Sequence, residues 1–445
     1  MKGKNFWLFL IGTFSMTQIQ VIGSIGISEL FLFVIAPFLF AQNYSLLKND
    51  GFLAAVYLSI LSLVGCCVAS LYNNIGWPSF LRGFASTYSI FAVLISYHYF
   101  LRNNFGGVKW LLFGICLTGI INTFIFQSSV ESTLYAEGET GVDAAVMVMS
   151  SPLYWIQRLT PFIALPYRAW YLSTPISYSI LAPIGLSLFA ILSTTSGRSA
   201  ALGLIGASAV IFIGKKSIKK MQKISKHFTR YFIIAIIGIW VANLGYRYAA
   251  TTGMLGEKAL AKYMAQTQGS SSMLKLLMGG RLPFFVGLYA GCKQPIVGYG
   301  PWAIDKYGYT EKFLSKYGTV DDYEAFLNSG AYKYKKLVAI PAHSYIVGAW
   351  ISNGMFGLIF WIYVLCKMFN YFRRNLAVVP QWYGILAAGM PSMLWDMFFS
   401  PYTARMYFPL YFALILFADA IAKGRIQMPP DMIREIIKSE DSRRR

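Results

Sequence analysis

KKSIKKMQKISKHFTR at 215–230 runs straight into YFIIAIIGIWVANLGYRY at 231–248. The first stretch carries Lys215, Lys216, Lys219, Lys220, Lys223, Lys226 and Arg230, whereas the second has a single charge, Arg247. At a helical rise of about 1.5 Å per residue, the apolar run nearly matches the ~30 Å core of a bilayer. Basic residues packed against the end of a span mark its cytoplasmic side. The pair therefore sets the class of the chain, an integral membrane protein, and its orientation: residue 230 inside, residue 248 outside.

Composition agrees. Hydrophobic residues make up 56% of the 445 residues, charged residues 13%, and mean hydropathy is +0.51. Soluble domains carry about a quarter charged residues, so this chain could not solvate a globular surface of its size. At about 20 apolar residues per crossing there is room for about ten to twelve spans. The formal charge of +21 invites a nucleic-acid partner, but its distribution excludes one. Arg373 and Arg374 follow another span and Arg443, Arg444 and Arg445 close the tail, so the basic clusters abut the membrane. Cys66, Cys67, Cys116 and Cys366 fall in or at the ends of spans, and only Cys292 lies in the large loop. No metal-ligand spacing appears, and the thiols read as apolar filler. Met1 to Lys4 is a basic start, but the apolar sequence after it outlasts a signal-peptide core, so no cleavable signal is expected.

Further apolar stretches recur at 6–22, 26–41, 51–72, 84–101, 110–127, 176–194, 199–214, 345–366, 379–397 and 404–422. Propagating the orientation makes 249–343 external, 367–375 internal and the tail after Lys423 internal, which puts the basic clusters at 215–230, 373–374 and 443–445 on one side. Parity then requires one more crossing between 143 and 175. VMSSPLYWIQRLTPFIALP at 148–166 is the candidate, in spite of Arg158 and its prolines. The expected fold class is an all-α integral membrane protein, a polytopic bundle of about twelve transmembrane helices with one large, partly helical external loop. Its parts are N-terminal helices in 1–248, the loop at 249–343, C-terminal helices in 344–422 and a cytoplasmic tail at 423–445. A first pair of spans forming a hairpin would change the count without moving the loop. That loop mixes helical stretches at 254–266 and 283–292 with Trp302, Tyr307, Tyr309 and Tyr323, apolar content that marks a functional loop rather than a linker.

Three residues of this outer side carry chemistry. Arg198, in Thr194-Thr195-Ser196-Gly197-Arg198-Ser199-Ala200, is squeezed between two spans; an arginine there either snorkels to the interface or lines a polar cavity. Arg281 follows Gly279-Gly280 and precedes Pro283, so it stands at the positive start of the 283–292 helix. Helix start plus guanidinium makes an anion site, the alternative being a surface arginine capping a loop. Lys293-Gln294-Pro295-Ile296-Val297-Gly298-Tyr299-Gly300-Pro301 predicts a tight turn that folds the loop back over the membrane. His343, in Pro341-Ala342-His343-Ser344-Tyr345, sits where the chain re-enters the bilayer. It is either a base for a hydroxyl or an interfacial polar residue. After it, Trp350, Asn353-Gly354 and Gly357 predict a tightly packed helix. Asp321-Asp322 and Glu324 read as a solvated loop, and no acidic pair with metal spacing accompanies the site.

At these residues the chain resembles the O-antigen ligase and polymerase family of bacterial envelope glycosyltransferases. The matching pieces are Ser196-Gly197-Arg198, then Gly280-Arg281 with a helix and Pro295 to Gly300, then His343-Ser344 with Asn353-Gly354 and Gly357. The resemblance covers 190–365 best; many relatives carry His-Asn where this chain has His343-Ser344. It implies a metal-independent, inverting transfer without cofactor at the periplasmic face of the bacterial inner membrane. The donor is a glycan on undecaprenyl diphosphate; the acceptor is a hydroxyl of lipid A-core or of another lipid-linked repeat. Arg198 and Arg281 then hold the diphosphate and stabilise its developing charge, and His343 takes the acceptor's proton. A ligase is preferred to a polymerase. The alternative class is a transporter or flippase of lipid-linked oligosaccharides, which would show paired repeats and broken helices at mid-membrane.

Overall fold

The computed structural model describes residues 3–15, 17–20, 24–125, 223, 226–254, 282–317, 339–341, 344–376, 378–379, 382–400 and 407–428. The proposed crossing at 148–166, the stretches 176–194 and 199–214, and the helix expected at 254–266 from residue 255 onward lie outside the described residues. Most of what is described is helical. In chain order the elements are α1 (Gly3–Phe14), β1 (Gln18–Gln20), β2 (Ser24–Gly26), α2 (Ile27–Asp50), α3 (Leu53–Tyr72), α4 (Trp77–Leu101) and α5 (Val108–Ile125). Then come α6 (Phe228–Thr251), α7 (Leu282–Lys293), α8 (Tyr309–Tyr317), α9 (Tyr345–Asn370), α10 (Tyr383–Phe399) and α11 (Tyr407–Ala422). A π-helical turn (Tyr371–Asn375) extends α9. Four of these are long and apolar enough to cross a membrane: α2, α3, α4 and the run Tyr345–Asn375.

The stretch at 6–22 is not one span. Helix α1 stops at Phe14 after 12 residues, about 18 Å of rise, which falls short of a ~30 Å core. The chain then forms an antiparallel pair in which Ile19 faces Ile25. The fold class is therefore mostly, not wholly, α-helical. Gln-Ile-Gln and Ser-Ile-Gly alternate polar and apolar, a strand period that a running hydropathy average erases.

Helix α3 shows what faces what. Tyr57, Leu61, Val64, Val68 and Leu71 recur at helical spacing and are all exposed, the pattern of a surface that lipid covers. The opposite stripe, Ala55, Ser59, Ser62, Cys66 and Ala69, is buried and small. Small residues let helices approach closely in a membrane, where dispersion contacts replace hydrophobic driving force. Helix α9 lies against this stripe, with Gly65 facing the Asn353 carbonyl and Phe356.

Helix directions follow from paired contacts. Tyr88 Oη donates to the Phe33 carbonyl at 3.0 Å, Phe40 meets Phe91, and His98 Nε2 lies 2.8 Å from Asp50 Oδ2. Helices α2 and α4 thus run the same way. Asn104 Nδ2 donates to Asn5 Oδ1 and the Thr118 hydroxyl to the Thr13 carbonyl, so α1 and α5 do likewise. The start of α6 meets the end of α9 through Phe228, stacked on Phe372. These pairings gather the start of α1 and the ends of α2, α4, α9 and α11 at one end of the bundle. Lys4, Lys48, Arg102, Lys367, Arg373, Arg374, Lys423 and Arg425 belong to those ends.

Two carboxylates tie this basic end together. Asp50 is 2% exposed and accepts from His98 and from Arg102 Nε at 2.6 Å. The His98 ring is stacked on Phe417 at 5.7 Å, which adds α11 to the cluster. Asp419 in turn accepts from Lys367 and Lys423 at 2.8 and 2.9 Å. Neither carboxylate can leave its cations without stranding buried charge. Asp50→Asn is expected to lower unfolding stability by roughly 2 kcal/mol, measured as a drop in the thermal midpoint of detergent-solubilised protein; an unchanged midpoint would mean that the triad contributes nothing.

Candidate functional site

Arg198, Arg281 and His343 lie outside the described residues. Their chain neighbours are described at two of the three positions: Leu282 is the first residue of α7 and Ser344 is the N-cap of α9. Ser344 Oγ accepts from the Val347 amide at 3.1 Å and donates to the Met397 carbonyl at 2.7 Å. It therefore caps α9 and fixes it to the end of α10.

The two helices pack on one another and run the same way. A Cβ added at Gly287 would lie 2.7 Å from the Pro341 carbonyl oxygen and 2.9 Å from Val347; one at Gly291 would lie 2.9 Å from the Trp350 ring. Glycine at both positions lets α7 close on α9 and on the segment leading into it. Both starts meet the end of α10, since the Phe284 ring is 5.7 Å from Phe399 and Ser344 bonds to Met397. Two helix N-termini, each a positive dipole end, consequently face the same end of the bundle. That end is opposite the one defined by Asp50 and Asp419.

Helix α9 is closely packed at Asn353, Gly354 and Gly357, as those residues predict, but it breaks at one point. Gly354 has φ 63° and ψ −154°, a region that only glycine enters without strain. The break frees main-chain groups, and the 294–300 turn takes them up. Tyr299 and Gly300 amides donate to the Ile351 carbonyl at 2.6 and 3.2 Å, and the Met355 amide donates to the Ile296 carbonyl at 2.9 Å. Trp350 Nε1 donates to the Pro295 carbonyl at 2.8 Å. The turn that the Pro-Gly density predicts is present, but it plugs a gap in a helix as well as folding back over it. Beside the gap, Asn353 is 4% exposed and its Nδ2 donates to Ser62 Oγ and Thr87 Oγ1, which joins α9 to α3 and α4.

Tyr299 is a structural phenol. Its hydroxyl bonds to the Ala290 carbonyl at 2.9 Å and the Tyr309 hydroxyl at 3.0 Å. Burial, and then the bond to Tyr309, hold its pKa well above the usual tyrosine range. It stays protonated and cannot serve as a base near neutrality. Beyond it, the Ile340 amide donates to the Ala303 carbonyl at 2.9 Å and Ile304 bridges Ala339, which draws the approach to α9 onto the loop after α7. Asp305 accepts from the Tyr309 and Thr310 amides, both at 2.8 Å, and so fixes the start of α8. No group of three or more His, Cys, Asp or Glu with metal-binding geometry occurs among the described residues.

Sequence reasoning missed Asn73, Gln294 and Asp396. Asn73 and Gln294 meet across 221 positions, a pairing that no local pattern encodes. Asp396 is a half-buried carboxylate in α10, next to the Met397 carbonyl that receives Ser344. A lone acid inside the apolar run 379–397 was the available signal. No protein-family model matches this chain, and no curated protein or solved structure matches it either.

Proposed function

We propose that the chain is a glycosyltransferase of the O-antigen ligase or polymerase type. It moves a glycan from undecaprenyl diphosphate to an acceptor sugar hydroxyl at the periplasmic face of the bacterial inner membrane, within a bundle of about twelve spans. The observation that carries the reading is the parallel packing of α7 on α9, with both starts against the end of α10. Arg281 immediately precedes the first of these helices and His343 immediately precedes the cap of the second. In the proposed site Arg198 and Arg281, with the amides of the α7 start, grip the diphosphate and offset the charge that builds as it departs. His343 removes the proton of the acceptor hydroxyl as that oxygen attacks the anomeric carbon and the carbon–phosphate-oxygen bond breaks. In this proposal Asp396, one residue before the Met397 that receives the Ser344 hydroxyl, orients the imidazole. The gathering of basic residues at the opposite end supports a periplasmic site through the positive-inside rule.

A transporter of lipid-linked sugars is favoured by one feature, the broken helix α9. In transporters the ends of such a break line a central cavity and hold the substrate or ion. Here the freed groups of Ile351 and Met355 bond to the chain's own turn, which supports the enzyme. Purified protein in vesicles, supplied with lipid-linked repeats and with or without lipid A-core, decides between them. An enzyme elongates or transfers the glycan with chelator present; a transporter only moves it across the bilayer. A ladder formed without lipid A-core identifies a polymerase, and product formed only with it identifies a ligase.

A further inference from the structure

We propose that Gln294 and Asn73 are positioning residues that, through the 294–300 turn, hold α7 in register with α9 and so fix how the starts of the two helices stand relative to one another; this rests on the roles proposed for Arg281 and His343, which are next to those starts in sequence. Gln294 directly follows Lys293, the last residue of α7. Any displacement of the turn is therefore passed to the whole helix.

The turn is held at one atom from two sides. The Gly298 carbonyl accepts from Gln294 Nε2 at 2.7 Å and from Asn73 Nδ2 at 3.0 Å. Asn73 Nδ2 is in turn 2.8 Å from the Ala69 carbonyl at the end of α3. With Gly298 fixed, Tyr299 and Gly300 reach the Ile351 carbonyl and Ile296 reaches the Met355 amide. Gly298 has φ 75°, and a Cβ there would lie 2.6 Å from the Ile351 oxygen and 2.7 Å from the Gly354 nitrogen. The approach is as close as main chains permit, so the turn has one seat in α9 rather than a range of them. The register is then carried along α7 by Gly287 and Gly291, which leave no slack against Pro341 and Trp350.

Neither amide can touch substrate held at the start of α7. Leu282 lies a full helix away from Gln294, about 17 Å at 1.5 Å per residue. Their influence on transfer is geometric, and a shift on the order of 1 Å at reacting groups costs up to about a hundredfold in rate. They differ in this from Asn353, whose amide binds α3 and α4 within the bundle.

The test joins a distance to a rate. Cys292 in α7 and Cys366 in α9 are free and exposed, and with Cys66, Cys67 and Cys116 changed to serine they take spin labels. The labelled protein should give one narrow distance distribution, and Asn73→Ala/Gln294→Ala should shift or broaden it. The same double variant, labels omitted, should lose at least about tenfold in kcat with the donor KM unchanged, while Gln294→Ala alone shows both effects more weakly and serves if the double variant does not fold. An unchanged distribution would overturn the proposal, as would a kcat that falls only in proportion to the folded fraction. If the parent protein transfers no glycan, the enzyme reading fails on its own, and the label distances still judge the positioning of α7.

Discussion

Arg281→Ala and His343→Ala should each lower the rate of glycan transfer by about a thousandfold while the protein still inserts and keeps its thermal midpoint. The two losses have separate causes. A guanidinium that meets a departing diphosphate makes charge-assisted hydrogen bonds that strengthen as negative charge develops, so its removal acts on the transition state. An imidazole that takes the acceptor proton is needed at the same moment for a different bond. Both variants should therefore lose kcat, and Arg281→Ala should also weaken the donor KM, because a diphosphate is already charged in the ground state. Radiolabelled donor with purified variants in matched vesicles measures this. Transfer within a few fold of the parent by both variants would remove the proposed chemistry.

Gly354→Ala should cost about 3 kcal/mol of stability. Two effects add at this position. The backbone angles, φ 63° and ψ −154°, are strained for any residue with a Cβ. The added methyl would also collide with the Ile296 and Val297 carbonyl oxygens, which cannot retreat because Ile296 is bonded to Met355. Gly424→Ala is the control, since Gly424 has φ 68° but open space around its Cβ position; it should cost only about 1 kcal/mol. Thermal unfolding of the two variants side by side separates strain from collision. Equal midpoints would mean that the seat of the turn in α9 is looser than its distances indicate.

What could be read from the sequence was whatever depends on long apolar runs. The stretches at 51–72, 84–101 and 345–366 correspond to α3, α4 and α9, and the helix expected at 283–292 is α7. Proline and glycine between Pro295 and Pro301 announced the turn. Two features were hidden for physical reasons. Gly354 sits in an apolar run where glycine normally means close packing, and only the partner segment, Ile296 to Gly300, turns it into a break. The Asp50–His98–Arg102 cluster joins residues 48 and more positions apart, and burial of an aspartate at a helix end leaves no local trace. At 6–22 the error was one of period, since short alternating strands disappear inside an apolar average. Of the candidate site, the sequence supplied Arg198, Arg281 and His343, and the described residues supply the two helices that begin beside the last two.

In the proposed site, Arg198, Arg281 and His343 share one cavity. Cysteines placed pairwise by Arg198→Cys, Arg281→Cys and His343→Cys, in a chain whose native thiols are replaced by serine, can be bridged by a short thiol-reactive linker of about 8 Å. A shared site predicts that all three pairs link within one molecule. If 281 and 343 fail to link while each thiol still reacts alone, the two groups stand on separate surfaces and no common transfer site exists.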